Sequence, residues 1–578
     1  MSDVGRFRYP FGRVILTVCA LLVIGLWLAQ INPYLNPADD SGRYMVLGES
    51  LARTGDLRLI NDVRQVRDTL YVPGLPAVIA FWLKVTGQPP GAVIIPVKFT
   101  LMLCLLGTLP LFYLLLKRAR LRRAAIAAAM IAYAACPAMI SYANEVMSEM
   151  PLLLLCLAGI VLATTGKQSA ESPLPSQEID AENSENAPAS SDHNKPANGQ
   201  TLQTIEAVFS KIQNPHSKIP VWCILGALAC AALAYYVRAA GAILLISLGV
   251  WFFHKGGWRW GLVSLAVTLA AVGMWQARTS RIIATDPPNT PHDTYMKQFT
   301  LKNPDDPKAG RIQMNARGIA SRIKRCFPLN IGNIPRAVLF SMNAKGSAWQ
   351  ALFYVVAVPF TILALYGWRV AWKRGQYLVC GFCVLFWLFV ALWPWVNPRF
   401  LVPLVPYILL FVFAAADVLY DYQRERIPRI LPNAIATVAM GLLLVYYARV
   451  HAVVIKREHA PTLPGYALGR SRDEAGFYAG AAWLMGREPD TIVMARPAYL
   501  MHLYSGHPTT QIEPATRPSN QEIAYMLPNH VQYLFVDRWS WAHTENYLGP
   551  YLQEYGHAWT LVWNDPAGSG VRIYRRND

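Results

Sequence analysis

Long apolar runs recur along most of this chain, and they limit how it can fold more than any other feature. A transmembrane helix needs about 20 mostly apolar residues, because the hydrocarbon core of a bilayer is about 30 Å thick. Charged residues make up only 15% of the 578 residues, against about 25% in a typical soluble domain. The sequence therefore predicts a mainly α, polytopic membrane helical bundle of about eleven spans. The predicted spans are residues 13–31, 92–116, 123–141, 150–165, 219–235, 238–253, 259–277, 349–368, 376–395, 400–419 and 431–449.

Basic residues between the apolar runs predict the topology, because Lys and Arg are retained on the cytoplasmic side of a membrane. Clusters of them occupy every second connection: Arg6, Arg8 and Arg13; Lys117, Arg118, Arg120, Arg122 and Arg123; Lys255 and Arg259; Arg369, Lys373 and Arg374; Arg424, Arg426 and Arg429. Eleven spans then place the N-terminus in the cytoplasm and the C-terminus outside, in a plasma membrane or bacterial inner membrane. The net charge of +18 comes without a nucleic-acid motif, so no nucleic-acid partner is expected.

The first apolar run is expected to remain a membrane span. A cleaved signal peptide is the alternative, but this run is long for such a segment and no small-residue cleavage site follows it.

Two domains are expected. Residues 1–450 would form the membrane domain, and residues 451–578 a small soluble α/β domain outside the membrane. In the second domain, "TIVMA" (491–495) and "VQYLFVD" (531–537) resemble buried strands, and residues 473–486 resemble a helix.

The connections of the membrane domain differ in character. The insertion at residues 166–218 is rich in Ser, Pro, Asn, Ala and Glu and is predicted to be disordered in the cytoplasm. Residues 32–91 and 278–348 are predicted outer loops. The first of these loops contains a predicted helix from Gly42 to Thr54 that would lie flat on the outer leaflet, with Glu49 and Arg53 spaced to pair.

Acidic residues stand at two predicted outer positions. Asp39 and Asp40 follow the first span; either one, or Ser41, could instead cap the helix that starts near Gly42. In "NEVMSEMP", Glu145 and Glu149 bracket the entry to the fourth span. On a helix they would share a face and repel unless a cation, a proton or a substrate group lay between them. Glu149 alone could also mark a helix start.

Two arginines stand at further outer turns: Arg238 in "YYVRAAG" and Arg399 in "WPWVNPRFLVP". A guanidinium stays charged and contacts phosphate oxygens in a bidentate manner. The alternatives are a snorkelling side chain for Arg238 and an interfacial aromatic belt around Arg399. Taken together, acids and arginines at headgroup depth suit chemistry on a phosphate-bearing lipid. The arginines would neutralise a departing phosphate, and a carboxylate would accept a proton from a hydroxyl.

These motifs resemble, in their order and placement, those of the GT-C class of polytopic glycosyltransferases, which includes protein O-mannosyltransferases and lipid A aminoarabinose transferases. "PADDSGRYMVLGESLARTGDL" resembles the first outer-loop motif of the class, and "TLYVPGLPAVIAFW" (69–82) the stretch that follows it. "NEVMSEMP" resembles the second acidic motif, and "YYVRAAGAILL" and "NPRFLVPLVP" the later arginine-bearing turns. The likeness covers about residues 10–450.

The resemblance implies a hexosyl or pentosyl transferase that takes its sugar from a polyprenyl-phosphate donor and inverts the anomeric centre. The acceptor would be a hydroxyl on a lipid, a glycan or a protein. Asp39 would be the base. Many relatives have Glu where Asp40 stands, so which of the two acids enters the site stays open.

Other positions of the site also follow from the resemblance. Arg238 and Arg399 would contact the donor phosphate, and Glu145 and Glu149 the substrate. Some relatives need a divalent cation; here Asp39, Glu145 and Glu149 would offer oxygen ligands. Metal dependence is left open, and no other cofactor is expected.

A transporter or flippase of lipid-linked sugars is the competing hypothesis. Transporters usually place ionisable residues near the middle of the bilayer and contain paired internal repeats. Neither feature is evident in this sequence. A scaffold whose C-terminal domain binds partners is a third class, but it does not explain the ionisable turns.

Overall fold

The computed structural model describes most of the chain. The described residues are 8–35, 40–165, 219–287, 292, 294–301, 311–312, 315–339, 347–426, 430–458, 472–510, 531–537 and 549–577. The predicted insertion at residues 166–218 and the acidic residue Asp39 lie outside them.

The chain folds as a mainly α membrane bundle, as the sequence predicted, and each predicted apolar run corresponds to a helix or, in one case, a broken pair. The bundle helices are α1 (Arg8–Leu28), α4 (Ile94–Arg118), α5 (Arg123–Ala134), α6 (Pro137–Ala143), α7 (Glu149–Ala163), α8 (Val221–Val237), α9 (Ala242–Lys255), α10 (Trp258–Thr285), α13 (Ser347–Lys373), α14 (Tyr377–Leu392), α15 (Val405–Arg426) and α16 (Ile430–Glu458). Further helices lie in the two predicted outer loops: α2 (Ser41–Thr54), α3 (Gly74–Thr86), α11 (Tyr295–Phe299) and α12 (Ala316–Leu339).

Six helices among the described residues are long and apolar enough to cross a membrane, and the pair α5 and α6 passes the same test together despite a 43° bend. Five more apolar helices are shorter. The number of eleven membrane crossings therefore stays a prediction.

The bend between α5 and α6 follows from Pro137. Proline lacks a backbone N–H and disfavours a helical conformation in the residue before it. Cys136 is accordingly extended, with φ −63° and ψ 117°. The short helix α6 then ends at Ala143, which leaves residues 144–148 outside any helix before α7 begins at Glu149.

Helix α2 has the predicted bounds to within one residue. It ends at Gly55, whose φ of 73° is left-handed, and Glu49 pairs with Arg53 at 2.6 Å. Most of the residues of α2 are buried. A Cβ on Gly48 would come within 2.5 Å of Ile79 in α3, so the two helices pack closely. The position of α2 flat on the outer leaflet stays a prediction.

The C-terminal region contains the predicted α/β structure. Its strands are β1 (Val493–Met494), β2 (Thr509–Thr510), β3 (Tyr533–Val536), β4 (Trp559–Asn564) and β5 (Arg572–Arg576). They form a five-stranded mixed sheet in the order β2-β1-β3-β5-β4. Strand β1 is parallel to β2 and β3, and strand β5 is antiparallel to β3 and β4. Its helices are α17 (Arg472–Met485), which the sequence predicted, α18 (Ala498–Ser505) and α19 (Gly549–Tyr555). The division of the chain at residue 450 stays a prediction, since α16 continues to Glu458.

Candidate active site

Four of the six residues singled out in the sequence meet at one end of the bundle. Asp40 directly precedes α2, Glu149 is the first residue of α7, and Arg238 follows the last residue of α8. Arg399 lies in a 3₁₀ turn, Pro398–Leu404, between α14 and α15. Each of these side chains is therefore placed by a helix terminus, where the chain leaves the bundle.

Glu149 is the centre of the cluster. One of its carboxylate oxygens, Oε1, lies 2.5 Å from Nη1 of Arg238 and 3.5 Å from Nε of Arg399. The Glu149 side chain is completely buried, and its position in the first turn of α7 lets the helix dipole stabilise its charge. One carboxylate thus holds two guanidinium groups, and these three side chains carry one net positive charge.

Asp40 completes the cluster at its accessible edge. Arg399 donates from Nη2 to Oδ2 of Asp40 at 2.9 Å, and 37% of the Asp40 side chain is exposed. Burial alone would raise the pKa of this carboxyl, but the Arg399 charge and a hydrogen bond from the Tyr71 hydroxyl hold it below its ordinary value. Asp40 makes no side-chain capping hydrogen bond to α2, so its carboxylate serves the ion pair rather than the helix.

Aromatic side chains line the cluster. The rings of Tyr44 and Tyr71 meet edge to face with centroids 4.9 Å apart. Burial raises the pKa of Tyr44 to about 12 and that of Tyr71 well above its ordinary value, so both hydroxyls stay protonated at neutral pH. The guanidinium carbons of Arg238 and Arg399 lie 5.6 Å and 5.3 Å from the ring centre of Phe400.

A serine links one tyrosine to the ion pairs. Ser148 Oγ lies 3.1 Å from the Tyr44 hydroxyl and accepts a hydrogen bond from Arg238 Nη1 at 3.3 Å. Ser148 and Tyr44 stand inside stretches that resemble family motifs, but the sequence predicted neither of them as a site residue.

A second ion pair fixes Tyr71. Arg43 pairs with Asp68 at 2.5 Å, and its guanidinium carbon lies 4.5 Å from the ring centre of Tyr71. Oδ1 of Asp68 accepts hydrogen bonds from the backbone N–H groups of Leu70 and Tyr71 at 2.8 Å and 2.6 Å. The Tyr71 ring and backbone are thus both held beside Asp40.

Lys98 supports the loop that leads to the acidic pair. This side chain is 1% exposed, and its Nζ donates to the backbone carbonyls of Asn32 and Tyr34, each at 2.8 Å. A lysine inside the predicted span 92–116 is itself a signal, since ionisable residues within membrane spans usually have a function. The sequence reasoning missed it.

Tyr295 of α11 also faces the cluster, although it belongs to the second predicted outer loop. Burial raises the pKa of its hydroxyl, and Tyr44 and Arg238 are among the charged or ionisable groups that act on it. Its ring centre lies 5.9 Å from that of Trp393. Nothing in the sequence around Tyr295 pointed to the site.

The remaining two predicted residues differ in outcome. Asp39 lies outside the described residues, so its role stays a prediction. Glu145 is described, but it lies between α6 and α7 and not on the helix that begins at Glu149. The helical spacing considered for the two glutamates is therefore wrong, because the chain leaves the helix at Asn144.

The described residues do not fit a metal centre. No group of three or more His, Cys, Asp or Glu side chains suited to a cation occurs among the residues whose positions are given. Glu149 in particular has its buried carboxylate between two guanidinium groups, an environment that repels a cation. Asp40 likewise pairs with Arg399.

The fold is shared with membrane proteins of known structure. The chain has the GT-C fold of polytopic membrane glycosyltransferases, and it is an integral membrane protein. A structure of ArnT from Cupriavidus metallidurans bound to undecaprenyl phosphate matches with a TM-score of 0.54 and 12% identity, covering 96% of this chain and 97% of ArnT. The apo state of ArnT matches with a TM-score of 0.53 at 12% identity, over the same shares of the two chains.

The oligosaccharyltransferase AglB from Archaeoglobus fulgidus, in complex with an inhibitory peptide and a dolichol-phosphate, matches with a TM-score of 0.52 and 11% identity. That match covers 99% of this chain and 75% of AglB. No protein-family model matches the chain, and no curated protein matches it by sequence. Identities this low establish the fold and leave the activity to be argued from the site.

Proposed function

We propose that this protein is a membrane glycosyltransferase that moves a sugar from a polyprenyl-phosphate donor to an acceptor hydroxyl on the extracytoplasmic side. The observation that carries the proposal is the pair of arginines, Arg238 and Arg399, held together by Glu149 and Asp40 where the helices end. This cluster combines groups that can bind a phosphate with carboxylates, in a single place on a GT-C fold.

The arginine pair suits the phosphate of the donor. Glu149 and Asp40 together balance the charges of Arg238 and Arg399, so the proposed affinity for a phosphate rests on two adjacent planar guanidinium groups, whose geometry suits bidentate contact with phosphate oxygens. ArnT was solved with undecaprenyl phosphate and AglB with a dolichol-phosphate, which supports a polyprenyl phosphate as the ligand. The surrounding apolar helices would accept its hydrocarbon chain.

The chemistry is a single displacement. The acceptor oxygen forms a bond to the anomeric carbon while the bond from that carbon to the phosphate oxygen breaks, and its electron pair leaves with the polyprenyl phosphate. The proton of the acceptor goes to a carboxylate of the acidic pair, with Asp39 as the proposed base. One displacement inverts the anomeric centre. The two arginines stabilise the charge that grows on the departing phosphate.

Asp40 has a different role in this mechanism. Its ion pair with Arg399 and its lowered pKa make it a weak base, so its carboxylate orients the guanidinium. The neutral hydroxyls of Tyr44 and Tyr71 lie close enough to the cluster to act as hydrogen-bond donors toward substrate oxygens.

The proposed topology follows from the basic residues. The N-terminus would lie in the cytoplasm and the site and C-terminal domain outside, in a plasma membrane or bacterial inner membrane. The transferred group would be a hexose or pentose, and the acceptor a lipid, a glycan or a protein.

The position of the ionisable residues favours a transferase over a transporter. Asp40, Glu149, Arg238 and Arg399 all lie where helices begin or end. On the predicted topology these ends are on the outer side, whereas transporters bind their cargo near the middle of the bilayer.

The test is a transfer assay with membranes that contain the protein. The membranes are incubated with a panel of radiolabelled polyprenyl-phosphate sugars, and labelled products are separated and identified. We expect label from at least one donor to reach an acceptor, and no transfer in membranes that carry an Arg399→Gln variant at the same level of folded protein. If wild-type membranes transfer no label from any donor but move labelled lipid between leaflets, the proposal is wrong and the flippase hypothesis is favoured.

A further inference from the structure

The first turn of α2 contains hydrogen-bond donors that the protein itself does not satisfy. The first N–H group of this helix that donates within it belongs to Tyr44 and bonds to the carbonyl of Asp40 at 3.0 Å. The N–H groups of Ser41 and Gly42 come before it and have no acceptor in the described part of the chain. Such groups at the start of a helix point away from the helix body. Helix α2 thus begins with two backbone donors that are available to a ligand.

No side chain caps this end of α2 among the described residues. Asp40 and Ser41 were both candidates for a cap, since Asp and Ser side chains commonly accept hydrogen bonds from the first turn of a helix. Asp40 makes no capping bond, and its carboxylate pairs instead with Arg399 at 2.9 Å. The Ser41 hydroxyl has no hydrogen-bond partner in the parts of the chain whose positions are given, although Ser41 is 0% exposed. One hydroxyl and two N–H groups are therefore left over at the same helix end.

The C-terminal domain encloses this turn. A Cβ on Gly42 would lie 3.1 Å from Cβ of Tyr499 and 3.2 Å from a methyl group of Leu500, both in α18. Ser41 and Gly42 are both buried. Buried polar groups without a partner are rare in folded proteins, because removing them from water costs free energy that no new bond returns. Three such donors in one turn therefore indicate that a ligand completes their hydrogen bonds.

The chemistry of this helix end favours an anion. Helix α2 has 14 residues, and the positive end of its dipole and its N–H groups attract negative charge, as at many phosphate sites. Arg399, whose guanidinium contacts Asp40, adds a permanent positive charge beside the turn. The negative charge of Asp40 is already engaged by Arg399 and by the Tyr71 hydroxyl. A phosphate oxygen matches this combination of donors.

We propose that the N-terminus of α2 forms part of the binding site for the donor phosphate, where the Ser41 and Gly42 N–H groups and the Ser41 hydroxyl donate hydrogen bonds to phosphate oxygens beside Arg399. The stretch that begins with the acidic pair then supplies both the carboxylates for proton transfer and the donors that hold the leaving group. This inference rests on the proposed function, since it names further residues that bind the same donor.

The first test removes the hydroxyl. Ser41→Ala leaves the backbone N–H groups in place and puts a good helix former into the first turn. We expect the Kd for undecaprenyl phosphate, measured by equilibrium binding to the purified full-length protein, to rise by about tenfold, because hydrogen bonds to charged groups are strong. Binding of undecaprenol, which lacks the phosphate, should be equal in the wild type and Ser41→Ala.

The same variant separates ligand binding from a structural role. The Ser41 hydroxyl bonds to nothing in the described protein, so its removal breaks no protein hydrogen bond. The Tm of ligand-free Ser41→Ala in detergent should therefore equal or exceed that of the wild type. A lower Tm would overturn the inference, because it would show that the fold itself depends on this hydroxyl.

Ser50→Ala is the matched control in the same helix. Ser50 is also 0% exposed, but its Oγ donates to the carbonyl of Asp56 at 2.8 Å and accepts from the N–H of Arg58 at 3.0 Å. Ser50→Ala should therefore lower the Tm of the ligand-free protein and leave the Kd for undecaprenyl phosphate unchanged. The two serines are expected to give opposite results in the two measurements.

The binding measurements also separate this inference from the proposed function. A Kd for undecaprenyl phosphate in Ser41→Ala equal to that of the wild type would overturn the inference, even when the transfer assay is positive. An equal weakening of undecaprenol binding would overturn it too, because the lost contact would then not involve the phosphate. If Ser41→Ala alone binds undecaprenyl phosphate more weakly and the wild type transfers no sugar, the phosphate site stands and the proposed transferase activity fails.

Discussion

The guanidinium of Arg399 lies 2.9 Å from the carboxylate of Asp40, although the two residues are 359 positions apart in the sequence. Arg399 enters the site from the turn before α15, and Asp40 from the start of α2. The pair joins the first predicted outer loop to a late turn of the bundle, and buried Glu149 joins Arg238 to the same cluster. This convergence leads to the predictions below.

Replacing either site arginine by lysine should weaken donor binding. Arg238→Lys and Arg399→Lys keep the positive charge but lose the planar pair of N–H donors that matches phosphate oxygens. We expect the Kd for undecaprenyl phosphate, measured by equilibrium binding to the purified protein, to rise by about tenfold in each variant.

The matched control for this change is Arg122→Lys. Arg122 pairs at 2.5 Å with Asp417, which lies in α15 far from Arg399. The control should bind undecaprenyl phosphate as the wild type does. An equal Kd in Arg399→Lys, Arg238→Lys and the control would show that the two arginines do not hold the phosphate.

Removing the charge of Glu149 should destabilise the fold. Glu149→Gln leaves two buried guanidinium groups without their shared carboxylate, and breaking a buried ion pair costs about 3–5 kcal/mol of unfolding free energy. Thermal unfolding in detergent should show a clearly lowered Tm. Asp421→Asn is the comparison, because Asp421 pairs with Arg122 at 3.0 Å but is 55% exposed. Exposed pairs contribute at most about 1 kcal/mol, so its Tm should change little. Equal Tm changes in the two variants would contradict the central position of Glu149.

The ion pair of Asp40 should make stability depend on pH in the acid range. The folded-state pKa of Asp40 lies below its unfolded value, so the pair contributes fully above the unfolded value of about 3.9. That contribution is lost as the pH falls from there through the lowered folded-state pKa. Asp40→Asn should therefore lower the Tm at pH 7 and differ less from the wild type toward pH 3. A difference in Tm that grows on acidification would contradict the assigned direction of the pKa shift.

Lys98 should matter for turnover. Lys98→Met keeps the length of the side chain but removes the donor that holds the backbone before the acidic pair, and hydrogen bonds from charged groups contribute about 1.5–3 kcal/mol. We expect a loss in kcat of at least about tenfold in the transfer assay. Lys117→Met, an exposed lysine at the other end of α4, is the control and should keep wild-type kcat. A wild-type kcat in Lys98→Met would show that the acidic segment needs no anchor from α4.

The sequence predicted those features of the fold that depend on neighbours in the chain. The apolar runs gave the bundle helices, and the Glu49–Arg53 spacing with Gly55 gave α2 and its end. The burial of α2 could not be predicted in this way. Its covering helices, α3 and α18, come from different parts of the chain, and α18 lies more than 400 residues further on.

The sequence predicted only those site residues that stand out individually. An aspartate or arginine near an apolar run stands out because it is costly there. Tyr295 does not stand out, since a tyrosine in an outer loop is ordinary. Glu145 and Glu149 appeared to be one helix turn apart because no pattern in the sequence marks the exit of the chain at Asn144. Lys98 could have been found by the rule that identified the arginines.

The acidic pair itself provides the most direct test of the account. Sugar transfer from the radiolabelled polyprenyl-phosphate donor should be measured for the wild type, Asp39→Asn and Asp40→Asn at matched levels of folded protein. A general base contributes at least about 100-fold, so we predict that Asp39→Asn loses transfer almost completely while it still inserts and binds the donor. Full transfer by Asp39→Asn would remove Asp39 from the role of base, and full transfer by both variants would contradict a mechanism based on these carboxylates.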